Sequence, residues 1–84
     1  MPKKRDISSA ELELSLKLGR RLKQYRCECG LTQEEVAARA GIATFTYQKY
    51  EKGWSKPGTP MNPQLFTLVA LCDVLGISIS ELFD

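Results

Sequence analysis

The chain has 84 residues, enough for one domain, and its hydrophobic fraction of 43% is ordinary for a soluble globular protein. Its formal net charge is only +2. The longest uninterrupted apolar run, residues 68–72, is far too short to cross a bilayer. The N-terminus is charged, unlike a secretory signal, so we expect a cytoplasmic protein with no membrane partner.

The charge is unevenly distributed along the chain. Residues 17–56 contain nine basic and four acidic residues, whereas residues 57–84 contain three acidic residues and no basic one. A basic middle beside an acidic tail is expected where one face of a protein meets a polyanion. Ordinary solvated helix faces would give the same counts, so charge alone does not decide between these explanations.

The sequence gives little support to catalysis or metal binding. It contains no histidine, no phosphate-binding glycine loop and no convergent set of carboxylates. The adjacent Glu34 and Glu35 are better explained as helix-cap and dipole partners. Cys27, Cys29 and Cys72 are odd in number and lack the spacing of a closed four-ligand zinc site. We therefore expect no enzyme, no metal and no cofactor.

The first part of the chain is predicted to be an arm followed by a helix. Residues 1–8 are expected to form a flexible basic arm, and residues 9–84 a single domain. Ser8 and Glu11 have the spacing of a capping box, so a first helix should begin there and end near Cys27. Its predicted inner face consists of Leu14, Leu18, Leu22 and Tyr25.

Two short helices are predicted next. Thr32 and Glu35 form a second capping box that opens a helix through Ala40. Gly41 can adopt the left-handed conformation that ends a helix and turns the chain. A third helix should cover residues 44–52. The predicted inward residues of these two helices are Val36, Ala37, Ala40, Tyr47 and Tyr50.

The last third of the chain is predicted to be a loop and two helices. Residues 54–62 contain two prolines and a glycine, which favour a loop. Asn62 and Pro63 suit the cap and first position of a fourth helix, and Ser78 with Glu81 forms a third capping box for a short fifth helix. The predicted inward face of the fourth helix is Leu65, Leu68, Val69, Cys72 and Leu75. The sequence therefore predicts an all-α fold of five helices.

Residues 33–52 meet the requirements of a helix-turn-helix. Two steeply crossing helices need a small residue where their axes approach, which is Ala37, and a residue that tolerates positive φ at the turn, which is Gly41. The inward apolar residues are Val36, Ala40, Ile42, Tyr47 and Tyr50. A generic helical hairpin would have the small residue, the glycine and the apolar residues at these positions only by chance.

Three motifs resemble the lambda-repressor and Cro-like (Xre-type) family of DNA-binding proteins. They are LTQEEVAARAGI at 31–42, YEKG at 50–53 and LGISISEL at 75–82. The resemblance covers about residues 18–83. It implies a five-helix, lambda-repressor-like domain whose third helix, residues 44–52, enters the major groove, usually as a homodimer on a two-fold operator.

The resemblance also implies which residues meet DNA. The positions that face base edges are Thr44, Phe45, Gln48 and Lys49. Their chemistry suits this role, because lysine donates to guanine, glutamine pairs with adenine, and threonine or phenylalanine packs on the thymine methyl group. The candidates for backbone contacts are Gln33, Thr46, Lys52 and Lys56.

Four residues are expected to brace the motif rather than to bind DNA. Arg26 and Glu51 match a family ion pair that joins the first helix to the end of the third. Ala37 and Gly41 anchor the turn, as described above.

The chain departs from the family pattern in three places. Ala43 stands where the family commonly has a capping serine or threonine. Tyr47 and Tyr50 are bulkier than the usual aliphatic residues, so the inner packing must differ. The loop at 54–62 is longer than the common form.

The expected partners are double-stranded DNA and a second copy of the chain. The resemblance points to a dimer seam at the last helices, formed by Ile77, Ile79, Leu82 and Phe83. Leu12 and Leu16 form a second candidate seam.

The predicted function is sequence-specific DNA binding by a transcriptional regulator, most simply a repressor, with room for a protein partner such as a toxin or co-regulator. Two alternatives stay open. One is a protein-interaction module, such as an antitoxin or adaptor, that keeps the fold. The other is a thiol-based sensor that uses Cys27 and Cys29.

Overall fold

The structure is a computed structural model that describes residues 7–84, with side chains from residue 9 onward. Most of the predicted basic arm, including Lys3, Lys4 and Arg5, lies outside the described residues. Within the described part of the chain no helix has the length and apolarity that a bilayer crossing requires. The elements in chain order are α1 (Ile7–Glu28), α2 (Gln33–Ala40), α3 (Thr44–Lys52), β1 (Trp54–Lys56), β2 (Thr59–Pro60), α4 (Leu65–Leu75) and a 3₁₀ helix (Ile79–Leu82).

The prediction of five helices without strands is wrong in two respects. Residues 7–84 contain four α-helices, and the fifth predicted helix is a single 3₁₀ turn. The predicted loop contains an antiparallel pair of strands, in which Lys56 faces Thr59. Pro57 and Gly58, with Gly58 at φ 81°, form the tip between them. This order of residues is typical of a type II turn, which needs positive φ at its third position.

A single core lies between the helices. α1 packs against α3 and β2, while α4 packs against α2 and the 3₁₀ helix. The buried apolar residues are Leu18, Leu22, Val36, Ala37, Tyr47, Tyr50, Leu68, Leu71, Cys72, Leu75 and Leu82. The predicted burial of Cys72 is thus confirmed, and the two bulky tyrosines of α3 both point inward. Burial also raises the pKa of the Cys72 thiol.

The inner face of α4 differs from the predicted one. Leu65 and Val69 are 64% and 42% exposed, whereas Leu71 is fully buried. Because α4 carries apolar residues on nearly every side, helical periodicity could not identify the buried face. The helix also begins at Leu65 with Gln64 as its cap, two residues later than predicted. Gln64 has an extended backbone, with φ −67° and ψ 151°, so the helix cannot include the residues before Leu65.

α1 is a helix throughout, although its leucines also alternate as in a strand. It begins at Ile7, so Ser8 lies inside the helix and the prediction that Ser8 caps it is wrong. Leu14, predicted on the inner face, is 50% exposed, and its neighbour Ser15 is buried instead. The Ser15 hydroxyl donates to the Met61 carbonyl at 2.8 Å. This bond ties α1 to the segment after the hairpin and compensates the burial of a polar group.

The capping predictions have mixed outcomes. Thr32 and Glu35 form the complete capping box, with both reciprocal hydrogen bonds present. Ser78 caps the 3₁₀ helix by position only, because its hydroxyl contacts the hydroxyl of Ser80 at 3.0 Å and forms no cap bond within the described residues.

Gly19 is the point of closest approach between α1 and α3. A Cβ atom built on Gly19 would lie 2.4 Å from the Glu51 carbonyl oxygen and 2.7 Å from that of Tyr50. Both are backbone atoms, so no side-chain rotation can relieve the clash. The glycine weakens α1 as a helix former, but it allows the two helix backbones to touch.

We expect Gly19→Ala to destabilise the protein by about 1–2 kcal/mol, because the overpacking cost exceeds the gain of about 1 kcal/mol in helix propensity. Urea denaturation followed by circular dichroism measures this change. Arg20→Ala, at the exposed neighbouring position, is the control and should change the free energy of unfolding by less than about 0.5 kcal/mol. Equal stability of Gly19→Ala and wild type would contradict the close packing described here.

Candidate nucleic-acid interface

The turn between α2 and α3 is fixed by local backbone geometry. Gly41 adopts φ 75° and ψ 31°, the left-handed conformation that ends α2. The amide of Ile42 donates to the Ala37 carbonyl at 3.0 Å, so the chain turns at once. Ala37 is fully buried in the core cluster. A larger side chain there would displace the surrounding core residues.

α3 presents its inward and outward residues on opposite sides. Tyr47 and Tyr50 are buried. The four predicted base-reading residues follow one another at i, i+1, i+4 and i+5 on the side away from these tyrosines: Thr44, Phe45, Gln48 and Lys49. Phe45 is 67% exposed. The structure therefore brings these four side chains together on the outer face of α3.

Two features shape the outer face of α3: the lack of a side-chain N-cap and a cation–π contact. Ala43 is the N-cap and has no side chain able to accept a hydrogen bond, so the first amides of α3 point outward without a side-chain cap. The ammonium group of Lys49 lies 4.4 Å from the centre of the Phe45 ring. This cation–π contact orients both side chains on the surface.

The implied ion pair between α1 and α3 is present. Arg26 Nε donates to Glu51 Oε2 at 2.5 Å, and Arg26 Nη2 donates to Oε1 at 3.1 Å. The Glu51 side chain is only 5% exposed, and that of Arg26 14%. Burial by itself would raise the pKa of Glu51, but the hydrogen bonds to its carboxylate outweigh burial and lower this pKa. The hydrogen bond to Glu51 raises the pKa of Arg26.

The hydroxyl of Tyr47 is buried beside this ion pair. It is near enough to contribute to the low pKa of Glu51, yet it makes no hydrogen bond of regular geometry within the described residues. Burial raises the pKa of Tyr47 itself. The tyrosine ring fills the space below the ion pair where the family pattern has a smaller aliphatic residue.

Gln33 links the ion pair to the outer face of α3. Its Nε2 donates to Glu51 Oε1 at 3.0 Å. Its Oε1 accepts a hydrogen bond from Gln48 Nε2 at 3.3 Å. The predicted bracing residue and one predicted base reader are therefore in direct contact, a connection that sequence spacing alone did not indicate.

A shallow hollow lies where α1, α2 and α3 meet. It is lined by Lys23, Gln33, Gln48, Glu51 and Lys52. The Glu51 carboxylate is already bound by Arg26 and Gln33, so the two ammonium groups and two amides around this depression can receive an anionic oxygen. Lys23 is absent from the predicted contact set. The signal that could have found it is the basic run of α1, which favours a side that faces solvent or phosphate: Arg20, Arg21, Lys23 and Arg26.

Two of the predicted backbone contacts, Lys52 and Lys56, lie near the hairpin. Lys52 places its ammonium group 5.1 Å from the centre of the Trp54 ring, so the first strand residue orients the last residue of α3. Lys56 is exposed where the first strand meets the hairpin tip. Thr46 is partly buried. The longer loop thus extends the basic end of α3 rather than covering it.

Two basic residues of α1 point elsewhere. Lys17 donates to the Phe83 carbonyl at 3.1 Å, and Arg21 donates to the Asp84 carbonyl. The acidic end of the described chain therefore lies along this part of α1, away from the hollow.

The predicted dimer residues do not form one exposed patch. Leu82 is fully buried in the core and cannot contact another molecule without unfolding the 3₁₀ helix. Ile77 packs partly buried against the core, whereas Ile79 and Phe83 are 40% and 38% exposed. Leu16, from the alternative seam, packs against Gly53 within the same molecule.

The most exposed apolar patch of residues 9–84 lies on α4, where the sequence predicted Leu65 and Val69 to face inward. Leu65, Phe66 and Val69 are exposed by 64%, 82% and 42%. Their spacing of i, i+1 and i+4 places them on one side of the helix. A patch of this kind on a small protein commonly marks a contact surface.

The low pKa of Glu51 makes stability depend on pH. Because this pKa is lower in the folded chain than in the unfolded one, the stabilisation is complete above the unfolded value of about 4.3 and is lost as pH falls through the folded value. We expect Glu51→Gln to cost about 3 kcal/mol at neutral pH, because Arg26 loses its counter-charge. The variant should also lose part of the acid dependence of its unfolding free energy.

Urea denaturation at a series of pH values between 7 and 3 measures both effects. Glu13→Gln, an exposed change on α1, is the control and should follow the wild-type curve. A Glu51→Gln curve parallel to that of the wild type would rule out this role for the ion pair.

Known proteins share both the sequence pattern and the fold. A helix-turn-helix family matches residues 22–82. The HTH-type transcriptional regulator y4dJ of Sinorhizobium fredii, itself uncharacterised, is 38% identical over 65 residues, 77% of this chain and 77% of that protein. The transcriptional repressor RstR of the cryptic phage CTXphi, from Vibrio cholerae, is 37% identical over 62 residues, 74% of this chain and 50% of RstR. The chain thus spans half the length of RstR.

A solved structure shows the same architecture. It contains SinR, described as the master regulator for biofilm formation, in complex with DNA; SinR comes from Bacillus subtilis. The two chains superpose with a TM-score of 0.69 at 33% identity, over 80% of this chain and 98% of SinR. With the family match across residues 22–82, these findings show that the chain belongs to the helix-turn-helix family of transcriptional regulators, of the lambda-repressor and Cro-like (Xre) type.

Proposed function

We propose that the protein binds double-stranded DNA in a sequence-specific manner and regulates transcription, as a repressor, by occupying a two-fold operator with α3 in the major groove. The observation that carries this proposal is the outer face of α3. It carries an exposed aromatic ring, an exposed amide and a half-buried lysine on a helix held rigidly by a nearly buried ion pair. The names of the relatives support a regulator rather than an enzyme, and RstR is named a repressor.

The base readers in this proposal are the four residues on the outer face of α3. Lys49 donates to guanine acceptors, Gln48 pairs with a base edge, and Phe45 packs on a thymine methyl group with Thr44 beside it. The contact between Lys49 and Phe45 restricts both side chains before DNA arrives. A restricted side chain loses less entropy on binding.

The backbone contacts surround this face. Gln33 at the start of α2, Lys52 at the end of α3 and Lys23 of α1 border the hollow, which accepts a phosphate oxygen. Lys56 at the hairpin tip reaches a phosphate farther along the groove, and Thr46 is the remaining candidate. Such contacts set affinity and salt dependence, whereas base contacts set sequence.

A two-fold operator requires two copies of the chain, and α4 provides a surface for the second. Leu65, Phe66 and Val69 form an apolar patch on an element that carries no basic residue. The base readers belong to the basic part of the chain, so pairing through α4 leaves them free for DNA. Ile79 and Phe83 of the predicted seam are also exposed and stay candidates for the contact.

We expect Lys49→Ala to weaken operator binding by about 1–3 kcal/mol and to relax selectivity at one base pair, because a base contact is lost. Selection of bound sequences from random duplex, followed by titration at several salt concentrations, measures both effects. Lys17→Ala removes the same charge from a side chain bound to the Phe83 carbonyl and is the matched control. It should leave the selected sequence unchanged.

Wild-type affinity for nonspecific duplex should fall steeply as salt rises. A flat salt response, or the absence of any selected sequence, would exclude the proposed function and favour a protein-interaction module.

We further expect the chain to sediment as a dimer at tens of micromolar, where even weak dimers persist. Phe66→Ser should convert it to a monomer of 9.4 kDa, because the most exposed side chain of the α4 patch is lost. Phe45→Ser makes the same change on α3 and should leave the dimer intact. A dimer that survives Phe66→Ser but not Phe45→Ser would place the seam on α3 and contradict the proposal.

A further inference from the structure

The hydrogen bonds that connect the ion pair to the outer face of α3 run in one direction. Arg26 donates to Glu51, Gln33 donates to Glu51, and Gln48 donates to Gln33. The chain of bonds therefore begins at a nearly buried charge and ends on a side chain exposed at the surface. The ends belong to different helices, α1 and α3.

The direction of these bonds follows from charge. A guanidinium group only donates and an ionised carboxylate only accepts, while an amide does either, depending on which of its two ends faces the partner. Facing the Glu51 carboxylate, Gln33 must present its NH₂ group. Its oxygen then points toward Gln48, 3.3 Å away, and Gln48 must in turn present an N–H to it.

This orientation decides what Gln48 offers to a base. One N–H is used by Gln33, and the amide retains its oxygen and its second N–H. An acceptor beside a donor matches adenine, which presents the N6 amino group and N7 in the major groove. In the opposite orientation the Gln48 oxygen would face Gln33, and the two N–H groups would be the groups directed to the base. Two donors match guanine, which presents O6 and N7 as acceptors.

We propose that Glu51 is a positioning residue for sequence recognition: its carboxylate fixes the amide orientations of Gln33 and Gln48, and thereby makes Gln48 select adenine over guanine. Glu51 itself touches no base in this proposal. The inference rests on the proposed function, because it specifies how one of the base readers named there chooses its base.

The experiment starts from sequences selected by the wild-type protein from random duplex. The profile of Gln48→Ala, compared with that of wild type, identifies the base pair that Gln48 reads. Titration of two duplexes that differ only at that pair then gives the ratio of affinities for adenine and guanine. This ratio is insensitive to a partly unfolded preparation, because both titrations use the same protein. We expect wild type to favour adenine by roughly tenfold or more.

Glu51→Gln should remove the constraint on the direction of the bonds. Arg26 Nε favours the new amide oxygen at the position of Oε2, whereas Arg26 Nη2 and Gln33 favour it at the position of Oε1. Because an amide supplies only one oxygen, Gln33 can present either end, and Gln48 then offers a base either an acceptor beside a donor or two donors. We expect the adenine-to-guanine ratio to fall at least about fivefold, toward equal affinity.

Two further variants separate positioning from stability. Gln33→Met breaks the connection but keeps both charged residues of the ion pair, so it should reduce the same ratio even if Glu51→Gln does not fold. Val74→Ala removes part of a side chain packed against the core on α4 and serves as the control for lost stability. It should keep the wild-type ratio.

The outcomes are distinct. A wild-type protein that selects no sequence contradicts the proposed function itself. A protein that selects a sequence in which Gln48→Ala changes no base pair contradicts the role of Gln48, and with it this inference. A Gln48-dependent adenine preference that survives both Glu51→Gln and Gln33→Met overturns the inference and leaves the proposed function intact.

Discussion

The ion pair between Arg26 and Glu51 is the interaction on which the geometry of the candidate interface depends. α3 is only nine residues long, and helices of this length are marginal in isolation. Its N-cap, Ala43, supplies no side-chain bond. What holds α3 in place is its buried tyrosine face and the guanidinium–carboxylate contact to α1, which desolvation makes costly to break. Gly19 permits this contact, because any side chain there would keep the two backbones apart.

The same ion pair connects stability with recognition. The Glu51 carboxylate accepts hydrogen bonds from both Arg26 and Gln33. It therefore joins α3 to α1 and also orients the amides at the surface. A buried ion pair adds little to the free energy of unfolding compared with a well-packed apolar pair, but it fixes one arrangement of its partners. In this protein the arrangement includes Gln48, which reads a base in the proposed function.

The candidate interface was predictable as a set of positions but not as a connected structure. Helical spacing and the resemblance placed Phe45, Gln48 and Lys49 on one outward face, because α3 is regular and its tyrosines must be inside. They did not indicate that Gln33 contacts Gln48, nor that Lys23 of α1 borders the same hollow. The first fact depends on how α2 packs against α3 and the second on how α1 crosses both helices, so each is set by tertiary packing.

The sequence by itself determined the local features of the fold: the capping box at Thr32, the left-handed turn at Gly41, and the position of the helix-turn-helix. Each depends on side chain and backbone within a few residues, so local physics suffices. Only the tertiary structure decided which side of α4 is buried and that Leu82 belongs to the core rather than to a seam. Burial of an apolar residue is equally favourable against its own chain and against a partner. Which surface it meets is settled only when the helices pack together.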